Sequence, residues 1–271
     1  QIGGGSGFAV DSRGFILTNK HVIAESGVRY TVTLSDGATY DAEVVACDPV
    51  NDIAIVKIDP RTALPTVPLG NSSTLALGEP VLAFGNVLGI LRNTVSKGIV
   101  SGLSRAVTAQ ADPAAPPQEM RGLIQTDAAI NVGNSGGPLV DMRGYAIGVN
   151  AATIQGTENI GFAVPVNSAK RDLDDLKKFG RIRRPLLGLR YLTVNEDLRQ
   201  KLALPVPYGA LVTREHPFDA AVVEGTPAAR AGIQEHDLIL AWNAEKITQE
   251  HSIQDYLETS NVNEEIALTV L

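Results

Sequence analysis

The sequence predicts a mainly β protein in two units, and three observations predict it. Short runs rich in Val, Ile, Phe and Thr recur between Gly, Asp, Asn and Pro turns as far as residue 165, the pattern of many short strands in an all-β barrel or sandwich. Helical spacing first appears over Val166–Phe179. From Pro185 a new series of strand and helix signals begins, which marks a second, α+β unit. With 271 residues, 44% hydrophobic and 20% charged, the chain can bury two cores. A net charge of −7 argues against a nucleic-acid partner. No apolar run approaches a membrane span. The single cysteine, Cys47, leaves no internal disulfide and no cysteine metal cluster.

In chain order, residues 7–18 read as a hairpin: Phe8-Ala9-Val10 and Phe15-Ile16-Leu17-Thr18 flank the turn Asp11-Ser12-Arg13-Gly14. Tyr30–Leu34 alternates as a strand, Ser35-Asp36-Gly37 turns it, and Tyr40–Ala46 and Asp52–Ile58 are further strands. Prolines at 60, 65, 68 and 80 make that segment a loop with short strand pieces. Val81–Gly85 and Val95–Val100 are strands, Ala106–Glu119 a long loop, and Leu123–Thr126, Tyr145–Val149 and Ile160–Pro165 strands again. Val166–Phe179 carries Ala169, Leu173 and Leu176 on one face and stops at Gly180. Arg181–Arg184 reads as a solvated linker. Beyond it, Tyr208–Thr213, Asp237–Trp242 and Glu265–Leu271 are strands, and Gln249–Glu258 is a helix. A short helix runs from Thr226 as N-cap through Pro227 to Gly232. The abrupt glycine-rich opening, Gly3 to Gly7, and the strand that stops at Leu271 read as cut edges, with an address segment expected to have stood ahead of the first.

The chemistry concentrates in Ile130–Val140, where Ser135 stands among Gly133, Gly136 and Gly137. A serine nucleophile needs an exposed hydroxyl, a base within reach and backbone amides converging on the developing oxyanion. Glycines permit the backbone conformations this requires. The reading makes Ser135 the nucleophile and the Gly133-Asn134-Ser135 backbone, through the amides of Gly133 and Ser135, the oxyanion hole. A Gly/Asn/Ser turn without chemistry is the alternative. The stretch also fits G-x-S-x-G, but that nucleophile elbow needs a helix after it. Gly136-Gly137-Pro138 does not start one.

A serine of this kind takes its base from a histidine oriented by a carboxylate. His21 is the only histidine of the first unit. The acid is open among Asp11, Asp36, Asp41, Asp48, Asp52, Asp59, Asp112, Asp127 and Asp141. Asp52 is favoured because it stands where a loop enters an almost wholly apolar strand. His216, His236 and His251 are widely spaced and read as surface residues, with no metal and no cofactor expected.

Thr18-Asn19-Lys20-His21-Val22, Asn51-Asp52-Ile53-Ala54 and Gly133-Asn134-Ser135-Gly136-Gly137-Pro138-Leu139 together resemble the HtrA/Deg family of chymotrypsin-like serine proteases. Leu186-Leu187-Gly188-Leu189 resembles the carboxylate-binding loop of that family's PDZ domain, and Thr226–Ile233 its short helix. The resemblance implies two six-stranded β-barrels with the site between them (residues 1–180), a linker (181–185) and one PDZ domain (186–271). It implies the triad His21, Asp52 and Ser135 in that order. Ala129, six before the serine, would floor the side-chain pocket, with Ile130, Thr153 and Ile154 as apolar walls, so cleavage is expected after small or medium aliphatic residues. In the PDZ domain Leu186, Leu187, Gly188, Leu189, Ile253 and Leu257 would hold a peptide C-terminus added as a strand. The implied protein is an ATP-independent endopeptidase acting on unfolded exported proteins in the bacterial periplasm or cell envelope, membrane-anchored or not, and trimeric or larger at full length. A peptide-binding chaperone with a dormant protease site is the alternative. Two departures stand out: His236 occupies a position where the family usually has glycine, and residues 214–224 resemble an insertion.

Overall fold

The β-prone runs pair as antiparallel ladders in a computed structural model that describes residues 4–25, 27–87, 91–109, 118–131, 133–153, 159–214, 216 and 218–271. Contacts divide the chain into two compact units, Gln1–Ile182 and Arg183–Leu271.

In the first unit, β1 (Phe8–Asp11), β2 (Phe15–Thr18), β3 (Tyr30–Thr33), β4 (Thr39–Cys47) and β5 (Ala54–Lys57) form a sheet in the order β1-β2-β5-β4-β3. The expected six-stranded barrel is, among the described residues, a five-stranded sheet, because β1 pairs only with β2 and β3 only with β4. The β1–β2 turn is pinned by Arg13, whose side-chain hydrogen bonds to Asp11 hold that carboxyl down at about 2. Gly14 completes the turn at φ +103°, and a Cβ there would lie 2.3 Å from the Ile58 carbonyl oxygen.

Six further strands close a barrel: β6 (Pro80–Val87), β7 (Leu91–Ala109), β8 (Gln118–Thr126), β9 (Pro138–Asp141), β10 (Ala146–Thr153) and β11 (Gly161–Pro165), in the order β10-β11-β8-β7-β6-β9. Strand β9 had no separate sequence signal. Its proline is tolerated at the first strand position, and β6 and β10 supply its partners. The loop expected over 106–119 is shorter at both ends, since β7 runs to Ala109 and pairs Thr108 with Glu119 and Ala109 with Gln118. Residues 110–117 lie outside the described residues. Helix α1 (Val166–Phe179) follows β11 and ends at Gly180, whose φ is +68° and whose amide donates to the Leu176 carbonyl.

One shared core fixes the sheet to the barrel. Leu17, Ile53 and Ile55 of the sheet side pack with Leu123, Val149, Phe162 and Val164 of the barrel and with Val166 and Ala169 of α1. Each of the Leu, Ile, Val and Phe side chains contributes about 1.5–3 kcal/mol on burial. Strand β5 is buried on both faces: Ile55 enters this core while Val56 points into a smaller one with Ile16, Ile58 and Leu64.

The second unit contains β12 (Tyr191–Thr193), α2 (Glu196–Leu202), β13 (Ala210–Val212), α3 (Pro227–Arg230), β14 (Leu238–Trp242), β15 (Glu245–Lys246), α4 (Ile253–Thr259) and β16 (Leu268–Val270). Its sheet runs β12-β13-β14-β15, with β16 also on β14. Helix α2 was not anticipated, although Asn195 caps it by accepting from the Leu198 amide. Two expectations are corrected. Thr226 stands at the N-cap of α3 with Pro227 after it, as expected, but its side chain makes no capping bond; its hydroxyl donates to the Val223 and Gly188 carbonyls instead. Helix α4 starts at Ile253 and not at Gln249, because Ser252 and Asp255 form a capping box there. His236 adopts a glycine-like φ of +78°, and its amide donates to the Val212 carbonyl at 2.8 Å.

Candidate active site

Strand β2 ends at Thr18, and the chain turns through Asn19 and Lys20 into a single 3-10 turn, His21–Ile23. Asn19 is fully buried, and its side-chain amide donates to the Asp52 carbonyl at 2.8 Å. Asp52 precedes β5 after a turn that Asp48 organises by accepting from the Val50 amide and the Asn51 side chain, each at 2.9 Å. Both oxygens of the Asp52 carboxylate go to His21. Oδ1 accepts the backbone amide at 3.0 Å, and Oδ2 meets ring Nδ1 at 2.6 Å. The carboxylate is 6% exposed and the imidazole 33%. One buried group therefore sets both the backbone and the ring of the histidine. A proton on Nδ1 is the tautomer this bond selects, and it leaves Nε2 as the acceptor.

Ser135 lies between β8 and β9 in a loop shaped by glycines. Gly133 has φ +108° and Gly136 φ +86°. Gly136 has no room for a side chain, since a Cβ would lie 2.2 Å from the Ser6 carbonyl oxygen, 2.4 Å from Thr18 Oγ1 and 3.1 Å from the Asn19 amide nitrogen. A Cβ on Gly5 would stand 2.6 Å from Val22 and 3.2 Å from the Ser135 carbonyl oxygen. The serine loop is thus packed directly on the segment that carries His21. The carbonyls of residues 133–135 are engaged: Gly133 O by Ser6 Oγ at 2.6 Å, Asn134 O by the Gly137 amide at 3.0 Å, and Ser135 O by the Ser6 amide at 2.8 Å. The amides of Gly133 and Ser135 donate to no acceptor among the described residues. The Asn134 amide is taken by the Asn131 carbonyl at 3.1 Å, so of the three residues named for an oxyanion hole only the outer two offer a donor. The Ser135 hydroxyl donates to the Ala151 carbonyl at 3.2 Å, and no bond to His21 is among those of the described residues.

The pocket candidates separate. Ala129 is exposed, and its carbonyl accepts from Ser96 Oγ at 2.8 Å and from the Asn134 side chain at 3.0 Å. Ile130 is 3% exposed and packs into the barrel core, where Gly161 leaves space for it. Thr153 ends β10, and Ile154 lies outside the described residues. Three further residues bond into this region: Ser6 and Asn150, to which the sequence reading gave no role, and Thr18, quoted there only within the motif around His21. Asn150 is fully buried in β10, and its side-chain amide donates to the carbonyls of Phe84, Asn134 and Pro138. An asparagine inside the run Ala146-Ile147-Gly148-Val149-Asn150-Ala151 was its available signal.

In the second unit, Gly188 is buried at φ +84° against Thr226. The Leu187 and Gly188 carbonyls accept from the Ala228 and Val223 amides at 2.9 Å each, whereas the amides of Leu187, Gly188 and Leu189 have no acceptor among the described residues. Leu186 is 68% exposed, and Leu187, Leu189 and Leu257 are half-buried beside the core. Ile253 is a core residue at 1% exposure. β12 is an edge strand, and Tyr191 Oη accepts from the Gln254 amide of α4 at 3.1 Å.

The fold and site define a class: residues 5–149 match the trypsin-like peptidase domain, and residues 218–271 the PDZ domain. The putative serine protease HhoA of Synechocystis sp. is 40% identical over 99% of this chain and 67% of its own length. A probable periplasmic serine endoprotease, DegP-like, of Chlamydia pneumoniae is 38% identical over 98% of this chain and 52% of its own. A solved structure of the HtrA-type protease AlgW with a decapeptide superposes with a TM-score of 0.78 at 32% identity, covering 98% of this chain and 78% of that one. The chain belongs to the HtrA/Deg family of serine proteases. It spans about half the length of its DegP-like relatives. No helix among the described residues is long and apolar enough to cross a membrane.

Proposed function

We infer that residues 1–180 act as a serine endopeptidase domain, joined by 181–185 to a peptide-binding PDZ domain at 186–271. The observation that carries this is the doubly bonded His21–Asp52 pair packed beside a serine loop whose two relevant amides are unengaged. In this mechanism the Ser135 hydroxyl turns from the Ala151 carbonyl to His21. Nε2 takes its proton as Oγ attacks the scissile carbonyl carbon, and Asp52 stabilises the imidazolium. The tetrahedral oxyanion is held by the amides of Gly133 and Ser135. Nε2–H then protonates the leaving amine, and water, activated by the same imidazole, releases the acyl group from Ser135.

Exposed Ala129 offers no carboxylate to a basic side chain, which favours small or medium aliphatic residues before the cut. The unengaged amides at 187–189 beside an open strand edge suit the carboxylate and backbone of a peptide C-terminus. Substrates are unfolded or damaged exported proteins, hydrolysis needs no ATP, and the full-length protein works as a trimer or larger assembly in the periplasm, the compartment in the name of its Chlamydia relative. A casein digest with Ser135→Ala as control tests the reading. Cleavage that survives the substitution overturns the assignment of Ser135, and a wild-type chain that cleaves nothing leaves the chaperone alternative.

A further inference from the structure

We propose that Ser6 is a positioning residue of the hydrolytic site, a latch that holds the Gly133–Ser135 backbone in its oxyanion-binding conformation. The proposal rests on the endopeptidase reading. Ser6 is the one residue with a side chain within the run Gly3-Gly4-Gly5-Ser6-Gly7. It makes three bonds that link the two halves of the site. Its hydroxyl donates to the Gly133 carbonyl at 2.6 Å, its amide donates to the Ser135 carbonyl at 2.8 Å, and its own carbonyl accepts from Thr18 Oγ1 at 2.7 Å. Thr18 stands three residues before His21.

The reason this matters lies in the rigidity of the peptide group. C=O and N–H point to opposite sides of one plane, so fixing a carbonyl fixes the amide that shares it. Ser6 holds the carbonyls of the planes before and after the one that bears the Ser135 N–H. That middle plane is in turn held by the Gly137 amide and the Asn150 side chain on the Asn134 carbonyl. Gly133 has no Cβ, so nothing within the residue maintains its φ of +108°; the hydroxyl of Ser6 is the side-chain bond that does. Without it, the Gly133–Asn134 peptide keeps the Asn134 amide's bond to the Asn131 carbonyl at 3.1 Å but loses its second tether, and the alignment of the donor pair loosens.

The test compares the wild-type chain with Ser6→Ala and Ser6→Thr. Alanine keeps the amide bond to Ser135 and removes only the hydroxyl. A fluorogenic peptide ending in an aliphatic residue gives kcat and KM. A peptidyl boronate, whose adduct oxygen occupies the oxyanion position, reports that position directly. Hydrogen exchange over 131–137 reports the loop without any catalysis. Loss of a whole oxyanion donor costs about a hundredfold to a thousandfold in kcat, and misalignment should cost less, about tenfold to a hundredfold. Ser6→Ala is expected to lose that factor in kcat and in boronate affinity alike, with KM within about twofold, an almost unchanged Tm and faster exchange over 131–137. Ser6→Thr, which retains the hydroxyl, is expected to recover most of each. Alanine values equal to wild type, or a threonine variant as impaired as alanine, overturn the latch. A wild-type chain that cleaves nothing overturns the endopeptidase reading instead. Loop exchange in Ser6→Ala, faster than wild type or equal to it, then decides the latch on its own.

Discussion

The two sides of the site are held in different ways. On the sheet side, side chains do the fixing: Asp52 is 6% exposed, bonds His21 twice, and is itself anchored by buried Asn19. On the barrel side, backbone carbonyls are clamped, and the hydroxyl of Ser135 is left with one long bond to Ala151. On the proposed mechanism the base is set before substrate arrives, whereas the Ser135 hydroxyl must first leave the Ala151 carbonyl. Burying a carboxylate is tolerable only because each oxygen finds a donor. The loop needs no buried charge, because glycines let its peptide planes meet partners that a Cβ would block.

Breaking the nucleophile should have the largest effect. Ser135→Ala is expected to lower kcat about a millionfold, leaving the residual rate that binding and oxyanion donors supply, measured with a peptide substrate. Asp52→Asn should lower kcat about ten-thousandfold, since an amide no longer selects the productive tautomer of His21. A loss below tenfold would move the orienting role to another carboxylate. Gly136→Ala attacks the other side. It combines positive φ with contacts of 2.2 and 2.4 Å, and should cost on the order of 2 kcal/mol or more of stability in a denaturant titration. Wild-type stability in that variant would mean the loop is looser than its packing implies. The smallest effect is expected in the second unit, where no catalytic strain is at stake. His236→Gly relieves a left-handed backbone at φ +78° and should stabilise that unit by about 1 kcal/mol with peptide cleavage unchanged.

Legibility in the sequence followed the range of the interactions. The hairpin at 7–18, the helix at 166–179 and its glycine stop are local patterns, and their boundaries were readable. Strand β9 and the outer parts of β7 and β8 are strands because neighbours pair with them, which no local propensity announces. Ile130 was expected as a pocket wall, and packing against Gly161 puts it in the barrel core. Ser6 acts through a bond spanning 127 residues, so nothing adjacent in the chain marked it, and Thr18, although quoted beside His21, shows its role only through a bond to Ser6 spanning 12 residues.

Residue types and local spacing by themselves determined a two-unit, mainly β chain, one candidate base in its first unit and a serine in a glycine loop. These follow from side-chain chemistry and backbone preference, which act over a few residues. Which of nine aspartates meets the imidazole, which amides stay free and which residues hold the serine loop was decided by the tertiary structure. Those choices depend on a core shared by sheet and barrel, which brings residues 6, 21, 52 and 135 within hydrogen-bonding and packing distance of one another's segments.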